Sequence, residues 1–152
     1  MKLHLIFIYI AIVSVSLASC KKDSSSPAPV KMSASIDGKT WSPSDLGVAA
    51  VSSTSAGTIT ITGTDLTSSL VIIIHGTTTG TYTLTLLSQQ CGATYTPSLL
   101  SYTDTYVGIS GTVKLTKVTT NLISGTFEFT LTNNVLATKS ITKGQFNDVT
   151  YF

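Results

Sequence analysis

The sequence predicts an all-β fold, an antiparallel β-sandwich or flattened barrel of about eight to ten short strands. Three observations support this prediction. Thr, Ser, Val, Ile, Tyr and Phe dominate the chain after Val30, and the β-branched and aromatic residues among them fit the pleated surface of a strand. Several segments alternate apolar and polar residues with a period of two, and turn signals separate them. No segment shows sustained helical periodicity.

Alternation is clearest in three segments, which predict strands with one buried and one solvated face: 58–62, 80–86 and 125–132. In the last segment Phe127, Phe129 and Leu131 are predicted to face the core. Glu128 has the opposite parity and is predicted to face solvent. In the middle segment the inward face is predicted to extend as far as Leu86.

The segment 70–75 differs because apolar residues occupy consecutive positions, which predicts a central strand covered on both faces. Asp37-Gly38 is the best candidate for a two-residue hairpin turn. An irregular stretch from Thr94 to Val107 is interpreted as a long loop. Further turns are predicted at Gly63-Thr64-Asp65, Gly76 to Gly80, Asn133-Asn134 and Lys143-Gly144.

The N-terminus is typical of a signal peptide, with Lys2 followed by an apolar run from Leu5 to Leu17. As a helix this run would rise only ~20 Å, against the ~30 Å of a bilayer core. A membrane helix that stays in place is the alternative. Small residues and a cysteine follow the run directly, which favours the signal peptide.

The residues Leu17-Ala18-Ser19-Cys20 resemble the lipobox of bacterial lipoproteins. In that family the cysteine thiol takes a diacylglyceryl group, and a peptidase cleaves on its amino side. The resemblance implies cleavage between Ser19 and Cys20 and a membrane anchor of acyl chains on Cys20, with two or three chains giving lasting attachment. By the family's sorting rules, Lys21 in place of aspartate favours the outer membrane. Periplasmic and surface faces stay open.

The predicted organisation has three parts. Residues 1–19 form the signal peptide, residues 20–29 the lipidated cysteine with a flexible tether, and residues 30–152 a single β domain. The tether is predicted from its Ser, Pro and charged residues, which lack apolar periodicity.

Five motifs follow one another along the predicted domain: Ile36-Asp37-Gly38-Lys39 with Trp41, Gly80-Thr81-Tyr82, Ser110-Gly111-Thr112-Val113, Ile123-Ser124-Gly125-Thr126-Phe127-Glu128-Phe129 and Ile141-Thr142-Lys143-Gly144-Gln145-Phe146. As an ordered set they are similar to those of a family of small all-β bacterial lipoproteins of unassigned function. The similarity covers essentially the whole mature domain. It implies a location and a fold class, and no catalytic or binding residues.

Charge is sparse in the predicted domain, which has six lysines, six acidic residues and no arginine. Nucleic-acid binding requires clustered positive charge, so it is predicted to be absent. Bidentate recognition of phosphate or carboxylate normally uses arginine, which the chain lacks.

Candidates for catalysis are few, and the chain is predicted not to be an enzyme. His75 is the only histidine after cleavage and ends the most apolar segment, where a structural role is the commoner outcome. Cys91 has no nearby base or cation in the sequence and is interpreted as a buried, inert thiol. The acidic residues form no spaced pair, and no metal or cofactor site is predicted.

Aromatic residues give the remaining candidates for a binding surface. Tyr95, Tyr102 and Tyr106 could line a groove for sugar or peptide, whereas Trp41 is predicted to lie in the core. The leading hypothesis is a lipid-anchored, non-catalytic binding or structural module whose partner is an envelope protein or a glycan. The alternative is a lipocalin-like small-molecule carrier or a hydrolase inhibitor on a β-barrel.

Overall fold

Antiparallel strands make up most of the computed structural model, which describes residues 30–53 and 55–152 and only the backbone of Tyr102. The predicted signal peptide and tether lie outside the described residues. The strands are β1 (Met32–Ile36), β2 (Lys39–Trp41), β3 (Val48–Ser53), β4 (Thr58–Thr64), β5 (Ser69–Ile74), β6 (Gly80–Leu84), β7 (Cys91–Thr96), β8 (Tyr106–Val118), β9 (Leu122–Thr132) and β10 (Thr138–Thr150). Two short 3₁₀ turns cover Asp45–Gly47 and Tyr102–Asp104.

All ten described strands belong to one sheet, in the order β2-β1-β10-β9-β8-β7-β5-β4-β3. The tenth strand, β6, lies off this path and pairs with β8. The first two residues of β8 pair with β7, and residues 111–115 of β8 pair with β6. The sheet curls until its far strand meets the end of β10. There Ala50 of β3 forms a bridge with Tyr151, and the Ser52 amide donates to the Phe152 carbonyl at 2.8 Å. The curled sheet therefore closes around one core and confirms the predicted all-β class.

The predicted strand faces are mostly correct. Phe127, Phe129 and Leu131 are at most 2% exposed, and Trp41 also lies in the core, while Glu128 is exposed. The Asp37-Gly38 hairpin is confirmed as well, because both residues have positive φ and join β1 to β2. Large apolar side chains from all around the sheet are buried in the interior.

Three predictions about the coverage and extent of strands are wrong. The segment 70–75 is not covered on both faces, because β5 alternates buried residues with Ile73, which is 40% exposed. Leu86 does not face the core, because β6 ends at Leu84 and the chain turns outward. The stretch 94–107 is no long loop: β7 and β8 occupy its two ends and pair through Tyr95 and Tyr106.

Glycines that the sequence marks as turns lie inside strands instead. Gly63 is part of β4, and Lys143-Gly144 lies in the middle of β10. Their neighbours explain the difference, because a Cβ at Gly144 would collide with the ring of Phe127 and a Cβ at Gly63 with the side chain of Trp41. These positions are glycine because a side chain from an adjacent element occupies the space above the backbone.

Phenylalanine rings cover three glycines that lie inside strands, and in each case the phenylalanine is the direct cross-strand partner of the glycine. Gly144 pairs with Phe127 and Gly125 with Phe146 between β10 and β9, and Gly111 pairs with Phe129 between β8 and β9. The rings of Phe127 and Phe146 are stacked, with centroids 6.2 Å apart. A ring over a glycine fills the concave side of a strongly curved sheet without crowding it.

We expect the substitution Gly111→Ala to lower the free energy of unfolding by about 2–4 kcal/mol. Its Cβ would collide with the Glu128 carbonyl and the Phe129 ring, and its φ of 152° is unfavourable for a residue with a side chain. Urea unfolding followed by the fluorescence of Trp41, the only tryptophan, measures the change.

The matched control is Gly92→Ala on β7, where an added Cβ meets no atom within 4 Å. We expect the stability of this variant to be unchanged or raised by up to about 1 kcal/mol. Equal losses in both variants would contradict the role assigned to ring-over-glycine packing.

Candidate functional site

A polar cleft opens at one end of the curled sheet, beside the edge strand β2, and is here named the end cleft. Its volume is about 320 Å³. One wall comes from the β1–β2 hairpin and the start of β10, and the other from the β4–β5 turn and the end of β7. The lining residues are Ile36, Asp37, Lys39, Thr40, Trp41, Asp65, Thr67, Ser68, Tyr95, Pro97 and Lys139.

Asp37 is positioned on the first wall by the hairpin turn, where its φ is 49°. Its carboxylate accepts a 2.9 Å hydrogen bond from the Ser140 amide and forms a 2.9 Å ion pair with Lys139. The side-chain bond from Lys139 and the Ser140 amide together hold the pKa of Asp37 below its usual value. The same carboxylate raises the pKa of Lys139, so both groups are charged at neutral pH.

Lys139 also contacts the aromatic side chains behind the cleft. Its ammonium lies 5.0 Å from the ring centroid of Tyr106, within the range of a cation–π interaction. Tyr106 pairs directly with Tyr95 across β8 and β7. Lys139 is therefore fixed between a carboxylate and a ring.

The second wall is built on Asp65, which follows β4 and closes the β4–β5 turn through a 3.0 Å bond from its amide to the Ser68 carbonyl. Its carboxylate accepts hydrogen bonds from the backbone amides of Thr67 and Ser68 and from both of their hydroxyls. Burial acts to raise the pKa of Asp65, but these hydrogen bonds outweigh it and lower the pKa. The Ser68 hydroxyl in turn accepts a 2.8 Å bond from the Trp41 indole, which ties β2 to the turn.

The structure places the predicted binding residues unevenly. Tyr95 lines the end cleft but is 8% exposed, and Tyr106 lies behind Lys139. Tyr102 belongs to the 3₁₀ turn before β8, and its side chain lies outside the description. Cys20, the predicted lipid attachment, also lies outside the described residues.

Sequence reasoning missed the charged residues of the cleft. The sequence marks Asp37 only as a turn residue and gives no signal that distinguishes Lys139 from the other five lysines of the domain. Lys39 lies exposed at the mouth of the cleft, and among the described residues it forms neither an ion pair nor a side-chain hydrogen bond. The motif Asp37-Gly38-Lys39 with Trp41 was the available signal, because it places two charges and an indole on one hairpin.

His75 and Cys91 both border one depression of the sheet, but in the described part of the chain no hydrogen bond joins their side chains. Cys91 is paired with Ile74 and is 2% exposed, whereas His75 follows β5 and is exposed. Burial raises the pKa of the Cys91 thiol to about 11, so the thiol is protonated at neutral pH. Its Sγ donates to the Tyr82 carbonyl at 3.3 Å. The imidazole of His75 has no hydrogen-bond partner within the described chain.

The fold and the cleft define an all-β domain whose curled sheet carries a polar cleft at one end. Residues 29–150 match the family model described as Domain of unknown function (DUF6252), and the chain belongs to this family. No curated protein and no solved structure matches the chain significantly. In residues 30–53 and 55–152, no helix is long and apolar enough to cross a membrane. No three His, Cys, Asp or Glu side chains of this part could together hold a metal ion.

We expect Asp37→Asn to lower stability at pH 7 by about 0.5–1 kcal/mol, since the carboxylate is 43% exposed and its ion pair is screened by solvent. Asparagine tolerates the positive φ of the turn, so the backbone should not change. The folded-state pKa of Asp37 is lowered. Its stabilising effect is therefore present above the unfolded pKa of roughly 4 and is lost as the pH falls through the folded value.

Urea unfolding at pH 7 and near pH 2 measures this difference, which should become smaller at the lower pH. Asp104→Asn serves as the control because Asp104 is exposed and lies outside the lining of the end cleft. A difference between wild type and Asp37→Asn that is no smaller at low pH would contradict the electrostatic explanation.

Proposed function

We propose that the protein is a lipid-anchored, non-catalytic binding module of the cell envelope and that it binds its partner in the end cleft. The anchor follows from the resemblance of residues 17–20 to a lipobox. The binding role is supported by one observation above all: charged groups from distant parts of the chain converge on an open cleft of about 320 Å³.

The groups in the cleft indicate the chemistry of the ligand. Asp37 and Lys139 neutralise each other, and the carboxylate of Asp65 is occupied by hydrogen bonds of its own turn. Lys39 acts on Asp37 only as the weakest of several influences and forms no ion pair in the described chain, so its ammonium is available to a partner in the cleft that Thr40 and Thr67 also line. This arrangement favours a polar ligand with an anionic group, such as an acidic glycan or an acidic peptide segment of an envelope protein.

The number of large side chains buried in the interior weighs against the alternative of a carrier that encloses a small molecule. Phe127, Phe146 and Met32 are at most 1% exposed, together with aliphatic side chains from the other strands. Lipocalin-like carriers need an open barrel interior. A non-catalytic role is further supported by the buried thiol of Cys91, whose raised pKa keeps it protonated at neutral pH.

The anchor is tested by mass spectrometry of the protein isolated from native membranes. We expect the mature chain to begin at an acylated Cys20, with the first 19 residues absent. In a Cys20→Ser variant the acyl mass should disappear and the precursor should remain uncleaved. A full-length chain with an unmodified Cys20 would refute the lipoprotein proposal.

The binding role is tested by immobilising the detergent-solubilised protein and capturing ligands from an envelope extract that contains glycans and peptides. Mass spectrometry should identify at least one polar, anionic molecule bound by the wild type. Lys39→Gln removes the free ammonium at the mouth of the cleft, and we expect it to reduce capture about tenfold, as for one charged hydrogen bond.

Lys114→Gln provides the matched control because Lys114 is an exposed lysine on β8, outside the end cleft. It should capture the same molecules as the wild type. If Lys39→Gln and Lys114→Gln capture alike, the end cleft is not the binding site.

A further inference from the structure

A second depression, here named the fork groove, lies on the outer face of the sheet. It forms where β8 exchanges its partner β7 for β6, so that the sheet divides. Its volume is about 310 Å³, close to the lower limit of pockets that take small molecules. The lining residues are Val71, Ile73, His75, Leu84, Gln89, Cys91, Gly92, Ala93, Thr94, Val107 and Gly108.

The fork groove has mainly apolar walls, with His75, Gln89 and Thr94 as polar members, and no Lys, Asp or Glu belongs to its lining. Ile73 is 40% exposed and Val107 is 54% exposed on its walls. The absence of a side chain at Gly92 leaves open space, since a Cβ there would meet no atom within 4 Å. With its apolar walls accessible to water, the groove has surface that a second apolar group would bury favourably.

A pair of exposed leucines stands at the rim of this groove. The loop between β6 and β7 leaves the groove at Leu84 and returns to it at Gln89, and its turn is closed by a 2.7 Å bond from the Thr85 amide to the Ser88 carbonyl. At its tip Leu86 and Leu87 are 92% and 100% exposed. They do not fold back into the groove of their own chain.

We propose that the fork groove binds the Leu86-Leu87 tip of a second copy of this chain. The Leu86-Leu87 tip and the fork groove are neighbours on one surface, since Leu84 and Gln89 on either side of the tip line the groove. A two-fold axis between the tip and the groove therefore places the tip of each copy in the groove of the other. Such an isologous contact buries the same patch on both partners and closes as a dimer. Because no Lys, Asp or Glu lines the groove, none of these charges opposes the approach of a second copy.

The tip itself favours this occupant. Leu86 and Leu87 bury almost none of their apolar surface within their own chain. Large branched side chains of this kind are suited to fill a groove with apolar walls. The turn holds the tip by backbone hydrogen bonds and by two bonds from the amides of Leu87 and Ser88 to the Thr85 hydroxyl. A tip fixed in this way loses little conformational freedom when it binds.

Site-specific photocrosslinking of the full-length chain in the cells that produce it tests the proposal. With the photoreactive residue at Leu87, we expect a product of twice the chain mass, whose second partner is this chain, crosslinked within the fork groove. With the photoreactive residue at Leu100, an equally exposed leucine in another loop, the dimer product should be at least tenfold weaker.

Variants that fill the groove provide the second part of the crosslinking experiment. Gly92→Val adds a side chain where the structure has room, and we expect at least a tenfold loss of the dimer product with the fold unchanged in urea unfolding. Ile73→Lys, at a partly exposed position, places a charge in the same groove and should act alike if Gly92→Val fails to fold.

Three outcomes would overturn the proposal. They are a Leu87 adduct with a lipid or with a different protein, no adduct at all, and a dimer product that both groove variants leave unchanged. None of them bears on the end cleft, whose lining shares no residue with the fork groove.

Discussion

The curvature of the sheet depends on aromatic rings that lie over glycines of the neighbouring strand. A sheet that closes on itself brings inward side chains close together, and every layer of the interior must be filled without crowding. Phe127 over Gly144 and Phe146 over Gly125 achieve this by pairing the largest side chain with the smallest. The two rings then stack on each other and fill the centre of the interior.

Closure of the sheet is also what creates the end cleft. Asp37 and Lys139 are 102 residues apart in the chain and meet because β1 pairs with β10. The opposite wall belongs to the β4–β5 turn, which the bond from the Trp41 indole to the Ser68 hydroxyl brings against the edge strand. A loss of sheet curvature would separate the two walls, so the cleft is a property of the whole fold rather than of one loop.

Local sequence patterns were sufficient to predict the fold class. A period of two needs only neighbouring residues, and it correctly assigned the faces of Phe127, Phe129 and Glu128. The end cleft could not be predicted in this way, because Lys139 and Asp65 join the charged residues of the β1–β2 hairpin only through pairing between remote strands. The glycines inside strands were missed for a similar reason. A glycine at a turn and one beneath an aromatic ring look alike until the cross-strand partner is known.

The wrong prediction for β5 has a physical lesson of its own. A run of consecutive apolar residues was expected to be covered on both faces, yet Val71 and Ile73 lie on the outer face of the described sheet, at the fork groove. An apolar run in a strand indicates that burying its surface is favourable, but it does not indicate whether the same chain or another molecule covers that surface. Inside the chain the core covers one face of β5. On the other face the same driving force is available for association with another molecule. The proposed binding of the exposed Leu86-Leu87 tip of a second copy would use it.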